Sequence, residues 1–220
     1  MRTVHLRLSL QSHRGELCAV REFNIVLAGV GGQGTLLASE AIGIAAVKDE
    51  LNVRVSEIHG MAQRGGAVVS TVRIGDEIYA STVVEGGAHA LLGFEPFETL
   101  RSLKYASEKT LVIMNTEEII PVELSTRSVK YPSIESIVEK INSFSHNTLR
   151  IEAGQLARKA GNVLAQNVVM LGALSGTGRL PIKESSMKKA VGELVPAKHV
   201  ETNLRAFELG YENAKKQQRS

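Results

Sequence analysis

Tryptophan is absent, and aromatic residues make up only 4% of the 220-residue chain, which leaves little on which nucleic-acid bases could stack. Cysteine is nearly absent as well. Cys18 stands alone, so no intrachain disulfide can form, and the four thiolates of an iron–sulfur cluster cannot come from this chain. No grouping of His, Cys and carboxylates has the spacing of a structural zinc site. No apolar run approaches the ~20 residues needed to span a bilayer. These shortages predict a cytoplasmic protein with no metal of its own. The net charge is only +3, and the basic residues are scattered apart from Lys188-Lys189 and Lys215-Lys216. A nucleic-acid partner is therefore not expected, whereas mild basicity suits an anionic ligand or an acidic partner.

The chain does contain an ordinary globular mixture, with 43% apolar and 22% charged residues. Its length suits one sizeable core. Residues 1–22 are set apart as an N-terminal extension. Arg2, Arg7, Arg14 and Arg21 resemble a targeting segment, but no cleavage site follows a long apolar core. Val4, Leu6, Leu8 and Leu10 alternate, so the stretch is either a frayed lead-in or a short added strand. A single domain is expected over 23–213, followed by a polar tail at 214–220.

Within the domain, Ile25-Val26-Leu27-Ala28 is a continuous apolar run ending in glycines, the pattern of a buried parallel strand. Gln33 to Lys48 carries apolar residues at helical spacing, and Val53 to Glu57 is the next strand, which makes a βαβ opening. Ala67–Ile74 and Glu77–Val84, separated by Gly75-Asp76, predict a β-hairpin. Further strands are expected at 88–94, 110–115 and 149–151, with helices opening at Glu95-Pro96 and Ser133. Pro121 to Pro132 reads as irregular. From Ala153 onward the periodicity is helical. The fold class expected is a three-layer α/β/α domain with a mixed, mostly parallel sheet containing one β-hairpin, and a helical C-terminal third.

Two segments carry chemistry. Gly29-Val30-Gly31-Gly32-Gln33-Gly34 ends a strand and opens a helix, where glycine lets backbone N–H groups approach an anion and the helix N-terminus adds positive potential. Its spacing admits a dinucleotide site, but that site needs an acidic residue ~20 positions on, and Glu57 is only a loose candidate. Anion contact, or a tight turn with no ligand, are the other readings. The second segment, Glu57 to Gly66, sets Glu57, His59, Gln63 and Arg64 among Gly60, Gly65 and Gly66. That composition does not suit a core. Arg64 offers a planar fork for a carboxylate or phosphate, and His59 a hydrogen bond to a ligand or a neighbour. Asn167, just inside an apolar helix, needs a partner, and the readings are a cap or brace of the glycine turn or an ordinary helix-start hydrogen bond, rather than direct catalysis.

Taken together, Gly-Met-Ala-Gln-Arg-Gly-Gly at 60–66 after Gly-x-Gly-Gly-Gln-Gly at 29–34 resembles the small catalytic-domain subunit of 2-oxoacid:ferredoxin oxidoreductases, most nearly the indolepyruvate type. The similarity extends through Val68-Val69-Ser70, Leu92 to Pro96, Asn167 to Leu174 and Asn203 to Gly210, and so covers about residues 24–212. It implies oxidative decarboxylation of a 2-oxoacid with thiamine diphosphate and magnesium. Electrons would leave through iron–sulfur clusters to ferredoxin, and the acyl group would pass to coenzyme A. It also implies a larger alpha subunit that carries the thiamine and the clusters, so the chain would be inactive alone. On this resemblance Gly29, Gly31, Gly32, Gln33, Gly34, Gly65 and Gly66 are the cofactor-facing positions, with coenzyme A at the interface. His59, Gln63 and Arg64 are the catalytic ones, and no metal is held by the chain itself. The other readings are a pyruvate or 2-oxoglutarate type of the same subunit, a free-standing dinucleotide-binding enzyme, or a scaffolding module without catalysis.

Overall fold

The computed structural model describes residues 22–59, 65–118 and 131–219. Most of the N-terminal extension, the Gly60–Arg64 stretch of the second glycine-rich loop and most of the irregular segment before Pro132 lie outside the described residues.

The apolar run becomes strand β1 (Phe23–Val30). Ile25 and Leu27 point to one face and Val26 and Ala28 to the other, and all four are fully buried. Both faces are covered, which is why the run is continuous rather than alternating. After the glycine turn come helix α1 (Thr35–Lys48), strand β2 (Val53–His59) and strand β3 (Ala67–Ile74). Strand β4 (Ala90–Gly93), helix α2 (Pro96–Arg101), strand β5 (Leu111–Asn115), helix α3 (Ile134–Phe144) and strand β6 (Asn147–Ile151) follow. Helices α4 (Ala153–Ala160), α5 (Gln166–Gly176), α6 (Glu184–Leu194) and α7 (Val200–Arg219) make up the last third, α7 running on through Lys215-Lys216.

The six strands stand in the order β2-β3-β1-β4-β5-β6. β1, β4, β5 and β6 are parallel, and β3 runs antiparallel to both β1 and β2. The expected mixed sheet is therefore present, and so is an antiparallel pair of consecutive strands, but the pair is β2–β3. Residues 77–84 do not form a strand. Both edges of β3 are already taken by β1 and β2, so no ladder position remains for them. Instead their carbonyls are held by side chains of the sheet. Arg54 Nε donates to Ile78 O at 2.8 Å, Thr71 Oγ1 to Ser81 O at 2.7 Å, and Arg73 Nη1 to Ala80 O at 2.9 Å. The same topology alters the βαβ opening, because β2 is parallel to β1 with β3 standing between them.

Helices cover both faces. On one, Ile25, Leu27, Leu92 and Ile113 meet apolar residues of α1 and α4 to α7. On the other, Val26, Leu91, Val112 and Met114 meet Ile137 and Ile141 of α3, with Phe97 and Leu100 of α2 packed alongside. α5 is apolar all round and buried, as a helix enclosed by a sheet and another helix must be. It crosses α7 closely at Gly172, Gly176 and Gly210, where backbone meets backbone without intervening side chains. At the β6 edge, Gln217 of α7 donates through Nε2 to Arg150 O (2.7 Å) and accepts from Arg150 N (3.3 Å), as a neighbouring strand would.

Candidate functional site

The parallel strands β1, β4 and β5 all end on one rim, where open α/β sheets place their ligands. Val30 ends β1, Phe94 follows β4, and Asn115 ends β5. Between them lies a cleft of about 320 Å³ lined by Val30, Gly31, Gly32, Gln33, Phe94, Asn115, Val163, Leu164 and Gln166.

The glycine turn is shaped by close approaches as well as by dihedrals. Gly34, at the start of α1, has φ +77°, and a Cβ there would sit 2.4 Å from Asn167 Nδ2. Asn167 in turn donates to Gly34 O at 3.4 Å, bracing the turn, and accepts from Val168 N at 3.0 Å at the helix start. Gly29 faces inward, where a Cβ would meet Gln33 Oε1 at 2.9 Å, so its role is packing within the turn rather than lining the cleft. Gly31 and Gly32 form part of the cleft wall. Gln33 closes the turn on itself. Its Oε1 accepts from Val30 N at 2.7 Å, and its Nε2 donates to Phe94 O at 2.8 Å. The Phe94 carbonyl receives a second donor, Asn115 Nδ2, at 3.1 Å.

The second glycine segment meets the first. Gly31 N donates to Gly66 O at 2.8 Å. Gly65 has φ +75°, a left-handed conformation that favours glycine. His59 is the last residue of β2, opposite Val68 of β3, and Gln63 and Arg64 lie outside the described residues. Glu57 stands on β2, one strand removed from β1, and accepts from Ser70 Oγ at 3.4 Å. A dinucleotide's ribose ligand belongs at the end of the strand beside the glycine turn. Here β3 occupies that place, so the geometry speaks against the free-standing dinucleotide-binding reading.

Next to Phe94 in the chain lies a buried carboxyl group. Glu95 is fully buried, caps α2 by accepting from Glu98 N at 2.7 Å, and accepts from the Tyr131 hydroxyl. Burial raises its pKa above the ordinary carboxylate value, against the pull of the hydrogen bonds from Tyr131 and the α2 backbone. The Tyr131 pKa is likewise raised, by its own burial and by Glu95, so the phenol stays protonated and donates. A carboxyl with a raised folded-state pKa favours folding most fully below the ordinary carboxylate range, and that contribution is lost as pH climbs through the folded pKa. Glu95→Gln keeps an acceptor oxygen and removes the charge. Its melting temperature relative to the parent chain should therefore improve as pH rises above the ordinary carboxylate range in thermal melts. A constant difference as pH rises would show that the buried charge carries no cost.

Fold and sequence together place the chain in a known class. The chain belongs to the pyruvate ferredoxin/flavodoxin oxidoreductase family, whose model matches residues 24–213. It is a subunit of a 2-oxoacid:ferredoxin oxidoreductase, an enzyme assembled from several subunits or domains. Over 197 residues it is 43% identical to indolepyruvate oxidoreductase subunit IorB of Pyrococcus horikoshii, covering 89% of this chain and 98% of that one. The gamma subunit of a keto/oxoacid ferredoxin oxidoreductase from Geobacter sulfurreducens superposes with a TM-score of 0.63 at 25% identity, over 87% of this chain and 98% of that one. The same fold recurs, with a TM-score of 0.69 at 19% identity, as 31% of a longer chain in the 2-oxoglutarate:ferredoxin oxidoreductase of Magnetococcus marinus, matched by 89% of this chain. That enzyme was solved with 2-oxoglutarate, coenzyme A and succinyl-CoA bound.

Sequence reading passed over several residues that shape the cleft. Gln166 and Leu164 belong to no motif. Glu95 and Tyr131 are 36 positions apart, and nothing in the sequence pairs them.

Proposed function

We propose that this chain is the small subunit of an indolepyruvate-type, thiamine diphosphate-dependent oxidoreductase and completes the active site against a larger subunit. The observation that carries the reading is the 2.8 Å hydrogen bond from Gly31 to Gly66, which joins the two glycine-rich segments at the strand-end rim. Gly31 and Gly32, with Gly65 and Gly66 beside them, then form the cofactor-facing rim, while Gly29, Gln33 and Gly34 hold the turn's shape behind it. His59, Gln63 and Arg64 are the residues assigned to the 2-oxoacid.

Coenzyme A suits this rim. Gly31 and Gly32 bring bare backbone to the cleft just before α1; the Gly31 N–H is held by Gly66 O, so Gly32 and the α1 N-terminus are what favour an anionic group there. When bound, coenzyme A supplies the thiol that accepts the acyl group. Thiamine diphosphate with magnesium, and the iron–sulfur clusters that deliver electrons to ferredoxin, fit the larger subunit instead. Cys18 is this chain's one cysteine, and among the described residues no three His, Cys, Asp or Glu are grouped to hold a metal. The cleft's lip is apolar and exposed, Leu164 at 82% and Val163 at 41%, which suits a covering protein surface. Among the described residues no helix is long and apolar enough to cross a membrane, and we place the complex in the cytoplasm.

Purification of the native chain tests the reading. A larger, brown, cluster-bearing protein should accompany it. The mixture should reduce ferredoxin or viologen with indolepyruvate, dependent on thiamine diphosphate and coenzyme A. A chain that purifies alone would sink the shared-site reading. Faster turnover of pyruvate or 2-oxoglutarate would overturn the indolepyruvate assignment and leave the class standing.

A further inference from the structure

We propose that Gln166 is a ligand-binding side chain of the cleft, its carboxamide turned by Asn115 so that Nε2 donates to a carbonyl or phosphate oxygen of the bound substrate. The inference rests on the reading of the cleft as this chain's share of the active site.

Asn115 is 1% exposed, and the backbone fixes which way its amide faces. Its Oδ1 accepts from two main-chain N–H groups, Glu117 N and Ala153 N, both at 3.2 Å. Main-chain N–H groups only donate, so this end must be the oxygen, and the NH2 end must face the other way. There it donates to Phe94 O at 3.1 Å and to Gln166 Oε1 at 3.4 Å. The orientation of Gln166 follows from that of Asn115. With Oε1 drawn toward Asn115, Nε2 is left without an acceptor among the described residues, on a side chain that lines the cleft together with Gly31 and Gly32.

Gln33 makes the comparison. It lines the same cleft, but its two amide ends are engaged by Val30 N and Phe94 O. Gln33 therefore holds the turn's shape, Asn115 positions, and Gln166 is the amide with donors to spare. An amide donor held toward a cleft recognises an oxygen acceptor, and two sources qualify: the 2-oxoacid and coenzyme A.

The test uses the assembled complex, with each substrate varied in turn at saturation of the other. Glu in place of Gln166 is nearly isosteric, replaces the donor with a repelling oxygen, and suits the first turn of a helix, so α5 should form at least as well. Gln166→Glu should raise KM for one of the two substrates about tenfold or more and Gln166→Ala about fivefold, with kcat within about twofold. The affected substrate identifies the source of the acceptor. Unchanged KM for both substrates in Gln166→Glu overturns the proposal, as does loss of co-purification, which would assign Gln166 to subunit contact instead. Leu164→Trp separates this failure from that of the underlying reading, because it crowds the mouth of the cleft from an exposed position. If Leu164→Trp depresses turnover while Gln166→Glu is silent, Gln166 is dismissed and the cleft remains the site. If both are silent, the cleft reading falls with it.

Discussion

Gly210→Ala should lower the melting temperature of the isolated chain by roughly 6–12 °C, the equivalent of about 3 kcal/mol for a domain of this length. Helix propensity alone predicts the opposite sign, since Ala is favoured over Gly in a helix interior by about 1 kcal/mol. The contact decides. A Cβ at position 210 would lie 2.0 Å from Val169 O and 3.1 Å from Ala173 N, both backbone atoms of α5. A side chain could rotate away, but a helix backbone can yield only by moving the whole α5–α7 pair apart. The approach is reciprocal, because a Cβ at Gly172 would lie 2.0 Å from Phe207 O. Gly192 on α6 supplies the contrast. A Cβ there meets nothing closer than Val200 Cγ1 at 3.8 Å, so Gly192→Ala should be neutral or stabilising by up to about 1 kcal/mol. Thermal or urea melts of the two variants side by side check both signs, and equal effects would show that propensity rather than contact governs these glycines.

Arg64→Ala should depress turnover of the assembled complex by roughly 10–100-fold while leaving co-purification of the subunits intact. That is the range expected when a charged hydrogen-bond donor to a bound carboxylate or phosphate is lost. Two residues on from Arg64 in the chain, the Gly66 carbonyl is tied to Gly31 at the rim of the cleft. Arg64→Lys should recover part of the loss, because a lysine keeps the charge but not the planar two-pronged fork. Steady-state rates with indolepyruvate provide the measurement. Full activity in Arg64→Ala would remove the loop from the site.

Much of this architecture can be read from residues in order. The run Ile25 to Ala28 followed by glycines announces a buried strand and a tight turn, because both signals are local. Helices open at Glu95-Pro96 and Ser133 as expected, and in the structure Glu95 and Ser133 cap them by chemistry that needs no distant partner. The failure at residues 77–84 has a different origin. Ile78, Tyr79, Thr82, Val83 and Val84 have good strand character, and a turn precedes them. Whether they pair depends on vacancy at β3, and that was settled by β1, some 50 positions upstream. The candidate site divides in the same way. Glycine spacing points to the turn, and Asn167 to its brace. The inward amide of Gln33, the orientation passed from Asn115 to Gln166, and the Glu95–Tyr131 contact depend on atoms brought together from separate strands and helices. Each is a matter of geometry, for which single residue types leave no trace.

Gln217 has a consequence for how these molecules can associate. A sheet propagates between molecules only when it offers two free margins, one to give and one to receive. With an amide from α7 already seated on Arg150, a strand arriving at β6 must first evict it. Among the described residues growth is left to the β2 side, which favours end-on pairing that stops at two copies over extension into a fibre.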